Sequence, residues 1–343
     1  MAIDLTGGLP VDRELTFAQA PDDPEMRDSV SMWIFDDRGE IALPRVGLEA
    51  VGANWESHLL QLNLVFPDGR VYRLREGGKS HSPFDGAGRP TILGTGPLAF
   101  QCVEPFTQWT ATFSGDAVRT SVEGLIAGEQ DGPRVPLEFD VEFRPAAPPW
   151  IQGALLPDAQ EQLAGGIEGD LMGGPRYEQL VRASGTVRVE GVEHRFTGSG
   201  LRIRRKGRRD LDGFWGHCWQ AGLFPSGKGF GYIAYPPRPD GKPTFNEGYL
   251  FTGDGPLIPA RVVQAPWLRR LKPSGDDATV VFESELGTTR IEGETTLPTH
   301  DTPIRPDMPN FPVLFQGAVR YRWDGEETIG MMERSTARDQ IEW

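Results

Sequence analysis

The residues best suited to chemistry cluster between Arg202 and Tyr235, in the run RIRRKGRRDLDGFWGHCWQAGLFPSGKGFGYIAY. Read as a strand, its centre alternates so that Trp215, His217 and Trp219 share one face and Phe214, Gly216, Cys218 and Gln220 the other. An imidazole titrates near neutrality, and an apolar wall shifts it further, so His217 between two indoles suits a general acid or base. The same placement also describes a core histidine bonded to backbone. Asp210 and Asp212 lie two apart just upstream. Two neighbouring carboxylates raise one pKa and make a proton donor, or they simply neutralise the arginines before them. Asp212 and His217 are five residues apart and so on opposite faces of an ideal strand, unless a bulge at Gly213 brings them together.

Other carboxylates are candidate partners for His217. Glu56 and His58 form a Glu-x-His pair that would relay a proton from one strand face or sit at a polar rim. Glu247 in FNEGYLF and Glu333 in GMMERS lie in apolar runs, where a carboxylate that does not reach solvent must be paired, protonated or functional. Arg202, Arg204, Arg205, Lys206, Arg208 and Arg209 form a cationic run that would clamp an anionic substrate or lie solvated at a hairpin tip.

The remainder of the chain excludes several chemistries. Lys+Arg 35 against Asp+Glu 49 gives a net charge of −14, which repels nucleic acid and anionic membrane. The two cysteines, Cys102 and Cys218, form no CxxC motif and no Cys/His pair at metal-ligand spacing, so no metal site and no disulfide framework is expected. There is no Gly-x-Ser-x-Gly elbow, no HExxH and no phosphate-binding glycine fingerprint. The N-terminus lacks a basic start and an apolar core segment, and no window approaches the roughly 20 apolar residues of a membrane span. A cytoplasmic protein is expected.

Short strands must position these groups. Gly 43 and Pro 30, with few long runs of helix formers, favour many strands joined by turns. A polar arm occupies residues 1–28. Strands then run through SMWIFDD and NWESHLLQLNLVF, the latter turning back at Pro67-Asp68-Gly69-Arg70, and continue to a Pro-rich boundary at AAPPW. A first β domain over 29–150, a linker over 151–175 with a short helix from Pro157 to Leu163, and a second β domain over 176–343 are expected. NWESHLLQLNLVFPDGRVY and FWGHCWQAGLFPSGKGFGY share a Trp, a His and a Phe-Pro-x-Gly-basic turn about 160 residues apart, which suggests a duplicated β unit.

The order from Tyr177 to Arg202, then Asp-x-x-Trp-Gly at Asp212, Trp215 and Gly216, an aromatic strand with an SGK turn, and Gly330-Met-Met-Glu-Arg334 resembles the AttH-like and carotenoid-hydratase-like proteins. The resemblance extends from about Ser29 onward. It implies tandem lipocalin-like β domains, distantly related to tocopherol cyclases, with a hydrophobic cavity between or within them. In catalytic members an apolar substrate is protonated there without metal or organic cofactor. Asp212, Trp215, Gly216 and Glu333 match the pattern, whereas RRKGRRDLDG and Phe214 depart from its Arg-Asp-x-Ser-Trp-Gly run.

The expected protein is therefore all-β, two lipocalin-like antiparallel barrels or sandwiches in tandem. Trp55, Trp215, Trp219, Tyr232 and Tyr235 are expected to line the pocket, with Arg202 as a further ligand contact. The expected function is cofactor-independent proton transfer on a terpenoid, steroid or aromatic molecule: hydration or dehydration, isomerisation or cyclisation. His217 is the expected acid or base, with Asp212 to orient it or donate the proton, Glu56, Glu247 and Glu333 as candidate partners on other strands, and His58 with Glu56 as a further proton-relay candidate. The competing expectation is a carrier that uses the same cavity without chemistry.

Overall fold

The computed structural model describes residues 3–165, 176–211, 213–238, 241–302 and 311–342. They form two antiparallel β units. The first is an eleven-stranded sheet containing β1 (Met26–Asp36), β2 (Ala42–Val51), β3 (Ser57–Val65), β4 (Arg70–Lys79), β5 (Ile92–Thr95), β6 (Leu98–Glu104), β7 (Gln108–Ser121), β8 (Arg134–Pro145), β9 (Trp150–Ile151), β10 (Arg176–Val189) and β11 (Val192–Arg208). Its main path runs β4-β3-β2-β1-β11-β10-β8-β7-β6-β5, and a further pairing of β4 with β7 brings the path round on itself. The second unit is a closed barrel of β12 (Gly216–Leu223), β13 (Gly229–Ala234), β14 (Asn246–Phe251), β15 (Ile258–Gln264), β16 (Val280–Ser284), β17 (Gly287–Asp301), β18 (Val313–Trp323) and β19 (Glu326–Thr336), each paired with the next.

The all-β, tandem-barrel expectation holds, but the division between the units lies later than the sequence suggested. β10 and β11, assigned from sequence to the second half, pair with β8 and β1 of the first sheet. The change of sheet thus falls between Arg208 and Gly216. Local sequence marks a strand but not its partner, and these two find theirs far upstream. The expected linker begins at the second residue of β9 and contains a helix, α1 (Pro157–Gly165), while 166–175 lie outside the described residues.

The duplicated pattern also has a different meaning from the expected one. β3 and β4 lie third and fourth from β11 in the first ring, whereas β12 and β13 open the second. His58 shares the inner, apolar face of its strand with Leu60 and Leu62, while His217 faces outward. The shared residues reflect hairpin chemistry, with Gly69 at φ 83 accommodating the tight turn before β4.

Three apolar cores result. One fills the first ring, through Met32, Leu62, Trp109 and Phe139, and another fills the second barrel, through Phe230, Tyr232, Phe282 and Met332. The third lies where the outer walls meet, with Trp33, Leu180, Leu201, Trp219, Tyr249 and Met331. Strands at this seam are buried on both faces, so β1 and β12 are buried almost without a break although they carry polar residues such as Asp28, Ser29, His217 and Gln220. Cys102 and Cys218 are buried and unbonded to each other, and no helix among the described residues is long and apolar enough to cross a membrane.

The arm is fastened by charge. Glu14 is fully buried and accepts from Arg202 Nη1 at 2.9 Å, Trp109 Nε1 at 2.7 Å, the Phe106 backbone N–H at 3.0 Å, and the Tyr177 hydroxyl. Arg204 pairs with Asp28, whose other oxygen accepts from Phe17 N at 2.9 Å. Arg202 therefore holds the arm inside the first ring and does not reach the cavity described below. Burial alone would raise the Glu14 carboxyl, but Arg202, Tyr177 and Trp109 outweigh it and hold it at about 2.

Replacing Glu14 by Gln leaves the Arg202 guanidinium buried without its counter-charge, so Glu14→Gln should lower unfolding stability by about 3–5 kcal/mol in a urea titration at neutral pH. The folded value lies below the ordinary 4.5, so this contribution is complete above that pH and disappears as pH falls towards 2. The difference between parent and variant should shrink over the same window; a difference independent of pH would assign the loss to packing.

Candidate functional site

A cavity of about 910 Å³ opens where the two outer walls diverge. The first sheet contributes Trp33, Arg45, Gln61 and Arg205; the second barrel contributes His217, Trp219, Ile233, Tyr235, Leu314 and Glu333. Phe214, on the chain between the two sheets, completes an apolar side. Trp33 and Trp219 meet edge to face at 4.8 Å between ring centroids, joining the walls beside the cavity.

His217 and Glu333 stand on adjacent strands, β12 and β19, at neighbouring register positions, with Trp219 opposite Glu333 and His217 opposite Ser335. His217 Nε2 lies 3.2 Å from Glu333 Oε1, and Nδ1 lies 2.7 Å from Ser335 Oγ. Ser335 Oγ also accepts from the His217 backbone N–H at 3.1 Å. A hydroxyl both donates and accepts, so Ser335 satisfies Nδ1 whether the ring is neutral or protonated. Nε2 meanwhile donates to the carboxylate. Burial alone would raise the Glu333 carboxyl, but the His217 hydrogen bond, the charges of Arg45 and His217, and the Gln316 amide hold it ionised, at about 2.

The first sheet fixes this pair across the seam. Gln316 on β18 donates to Glu333 Oε2 at 2.6 Å, and its Oε1 accepts from Gln61 and Asn63 of β3, each at 3.2 Å. Arg45 lies 3.6 Å from Glu333 Oε2 and stacks over Trp33 at 5.6 Å. Its φ of 82 is a left-handed conformation that non-glycine residues rarely adopt, at an irregularity in the β2–β3 pairing between Ala42 and Val46. Arg45, Gln61, Gln316 and Ser335 carry no sequence signal, because each is an ordinary strand residue until a distant strand arrives beside it.

The other sequence candidates are dispersed. Asp212 lies outside the described residues. Glu56 is exposed in the turn just before β3, and His58 is buried inside the first ring, packed edge-on to Trp55 at 5.4 Å. Burial pushes the His58 imidazole below its ordinary value. Glu247 accepts from Trp150 Nε1 at 2.8 Å and from the backbone N–H groups of Gly153, Leu155 and Leu156 at 2.6, 2.9 and 2.8 Å, so it anchors the segment after β9.

Among the aromatics, Trp219 and Tyr235 line the cavity. Tyr232 is three residues from Tyr235 and so faces the opposite way, into the second barrel, where its hydroxyl donates to Gln220 Oε1 at 2.6 Å. Trp215 precedes β12, stacks on Tyr235 at 5.1 Å and donates to Pro236 O at 3.1 Å, behind the cavity wall. Trp55 packs on Phe17 and His58. The cationic run is no solvated hairpin tip. Arg202 and Arg204 turn to the arm, whereas Arg205 turns to the cavity. Among the described residues, no three His, Cys, Asp or Glu side chains gather as a metal-binding group.

Comparison with known proteins places this architecture. A family model described as Domain of unknown function (DUF7064) matches residues 12–338. The fold is similar to the crystal structure of a protein described as an AttH from Nitrosomonas europaea, with 15% identity, TM-score 0.52, and 94% of this chain and 98% of that chain covered. It is similar to CghA, with 12% identity, TM-score 0.53 and coverage of 92% and 89%, and to CghA with Sch210972, with 11% identity, TM-score 0.50 and coverage of 95% and 96%. No curated protein sequence matches the chain at a significant level. The AttH-like resemblance expected from the sequence therefore holds for the fold.

Gly216 brings β12 against β19 beside His217. Its φ is 136, and a Cβ there would lie 2.6 Å from the Ser335 carbonyl oxygen. Gly216→Ala should therefore destabilise the protein by about 1–3 kcal/mol in urea, by straining backbone that an L side chain avoids. A variant as stable as its parent would mean that the strand pair beside His217 has room to spread.

Proposed function

The chain belongs to the DUF7064 family and carries the fold of AttH and CghA; we propose that it is an enzyme that transfers a proton to or from a hydrophobic organic molecule held between its two barrels. The observation that carries this reading is the His217–Glu333 pair on the wall of an aromatic-lined cavity. An ionised, buried carboxylate bonded to an imidazole stabilises the imidazolium and orients the ring, which is what a general acid–base residue needs. Nε2 donates its proton to the ionised Oε1, which fixes the ring beside the cavity. A substrate atom entering from the cavity exchanges that proton with the pair.

The reaction class is hydration or dehydration, isomerisation or cyclisation of a terpenoid, steroid or aromatic compound. Protonation of an alkene, or removal of a proton beside a leaving hydroxyl, needs an acid–base group and a wall that tolerates developing positive charge. The aromatic lining, Phe214, Trp219 and Tyr235, serves the second task. CghA, a neighbour in fold, has been crystallised with Sch210972, in keeping with ligand binding by this architecture.

One observation favours a second reading, a carrier. Both His217 nitrogens already have partners, Ser335 and Glu333. A substrate must therefore displace one of these bonds or engage the outer edge of the carboxylate. A carrier needs only the apolar wall.

The two readings separate in one experiment. The protein is incubated with a panel of terpenoid, steroid and aromatic compounds, and each mixture is examined by mass spectrometry while binding is followed by tryptophan fluorescence. The enzyme reading expects a compound of altered mass or retention, lost in His217→Ala and in Glu333→Gln while binding stays within a few-fold. Binding with unaltered recovery of every compound would establish the carrier. In either case Trp219→Ala should weaken binding by about 1–3 kcal/mol, through loss of one indole face; unchanged affinity would place the ligand elsewhere.

A further inference from the structure

The two walls of the cavity differ in chemistry. The second barrel and the chain leading into it present Phe214, Trp219, Ile233, Tyr235 and Leu314. The first sheet presents one face of β1, on which Arg27, Ser29, Ser31 and Trp33 line the cavity in succession, as a side-chain period of two requires. The charges on this wall are matched. Arg27 pairs with Glu49 at 3.2 Å, Arg75 with Asp301 at 2.8 Å, Arg45 with Glu333 at 3.6 Å, and Arg176 with Glu178. Arg205, Arg209 and Asp210 have partners as well. Ions that already satisfy one another select against a charged ligand, which would have to break a pair to find its own.

The serine hydroxyls on the same face are not matched. Neither Ser29 nor Ser31 has a side-chain hydrogen bond among the described residues, although Ser29 is only 7% exposed. Burial removes most of its water, so an oxygen brought by a ligand restores what burial takes away. Gly47 makes room beside the second hydroxyl. It lies opposite Ser31 on β2, lines the cavity, and has no left-handed backbone that would require glycine. A Cβ there would come within 2.5 Å of Ser31 Oγ and 3.3 Å of Ser31 Cβ. The hydroxyl thus lies in space that any other residue would claim.

Trp33, the next residue along this face, meets Trp219 at the seam and lies under Arg45, whose guanidinium reaches Glu333. Ser31 is one strand step from Trp33, roughly 7 Å. A ligand that fills the cavity therefore touches aromatic rings on one side and the two hydroxyls on the other.

We propose that Ser29 and Ser31 form a neutral hydrogen-bonding site for an oxygen of the ligand, so that the cavity takes an uncharged ring compound bearing a hydroxyl or carbonyl group in preference to a hydrocarbon. This rests on the proposed function only for the ligand's place in this cavity. A serine donates to a ligand carbonyl and donates to or accepts from a ligand hydroxyl, whereas a hydrocarbon leaves both serines unbonded.

The test compares 2-naphthol with 2-methylnaphthalene, a hydroxyl and a methyl on the same two rings, by equilibrium dialysis at neutral pH, where the naphthol is uncharged. The methyl compound leaves water more readily and gains more from a purely apolar wall. The parent should nevertheless hold the naphthol at least as tightly. In Ser31→Ala the ratio of affinities should move towards the methyl compound by about five- to tenfold, the worth of one hydrogen bond, with affinity for the methyl compound kept or improved. Gly47→Ala should move it in the same direction with Ser31 still present, because the added methyl displaces the hydroxyl. The comparison on the parent needs no variant to fold. A parent that prefers the methyl compound, a ratio that moves by less than about twofold when Ser29→Ala and Ser31→Ala are combined, or no saturable binding of either compound would overturn the proposal. Failure here is distinct from failure of the catalytic reading. A serine-dependent preference for the naphthol with no turnover of any compound keeps the hydroxyl site and removes the enzyme, whereas His217-dependent turnover of a hydrocarbon without that preference does the reverse.

Discussion

Two closed β walls are both convex, and convex walls can touch only along a seam. Everything distinctive in this molecule follows from that constraint. Along the seam, Trp33, Leu180, Leu201, Trp219 and Met331 exclude water and join the units. Where the walls curve apart, a space remains that neither interior provides, because both interiors are filled by their own side chains. The ligand cavity is therefore a product of the pairing of barrels. A single lipocalin-like barrel with either of these sequences would have a packed centre and an apolar stripe on its outside.

The same geometry explains the polar network at the cavity wall. A carboxylate buried at such a seam must be satisfied from both sides, and Glu333 is, by His217 within its own barrel and by Gln316 and Arg45 at the seam. Gln316 can serve only one way round. Its carbonyl oxygen meets two amide donors from β3, Gln61 and Asn63, which leaves its amino group for Glu333. The orientation of a side chain in the second barrel is thus dictated by the first. The left-handed Arg45 belongs to the same pattern: an irregularity in β2 delivers a guanidinium to a carboxylate on another sheet.

How much of this could be read from the chain depends on the reach of each interaction. Alternation over a few residues is local, so the all-β class, the Pro67–Arg70 and Pro225–Lys228 hairpins, and the common face of His217 and Trp219 were legible. Glu333 was legible only as one of several carboxylates in apolar strands, since register between β12 and β19 is set over a hundred residues of intervening chain. Strand partners were not legible at all, which is why β10 and β11 fall in the first sheet. The placing of Tyr232 beside Tyr235 failed for a simpler reason: residues three apart on a strand point to opposite faces, and Tyr232 belongs to the second barrel's interior. Arg45 and Gln316 gave no signal, because the carboxylate that makes them matter lies on a strand remote in sequence.

β11 divides its cations by parity. Even-numbered Arg202, Arg204, Lys206 and Arg208 reach the arm, through Glu14, Asp28, Asp12 and Asp23, while odd-numbered Ile203 and Arg205 face the cavity. Because the side-chain period is two, a single-residue insertion or deletion within this strand would turn the arm's arginines towards the ligand and bury the cavity's arginine under the arm. Both functions would be exchanged at once. The fold therefore tolerates a change of length here only in steps of two residues, or in the connection after Arg209, where the chain leaves the first sheet and parity no longer constrains it.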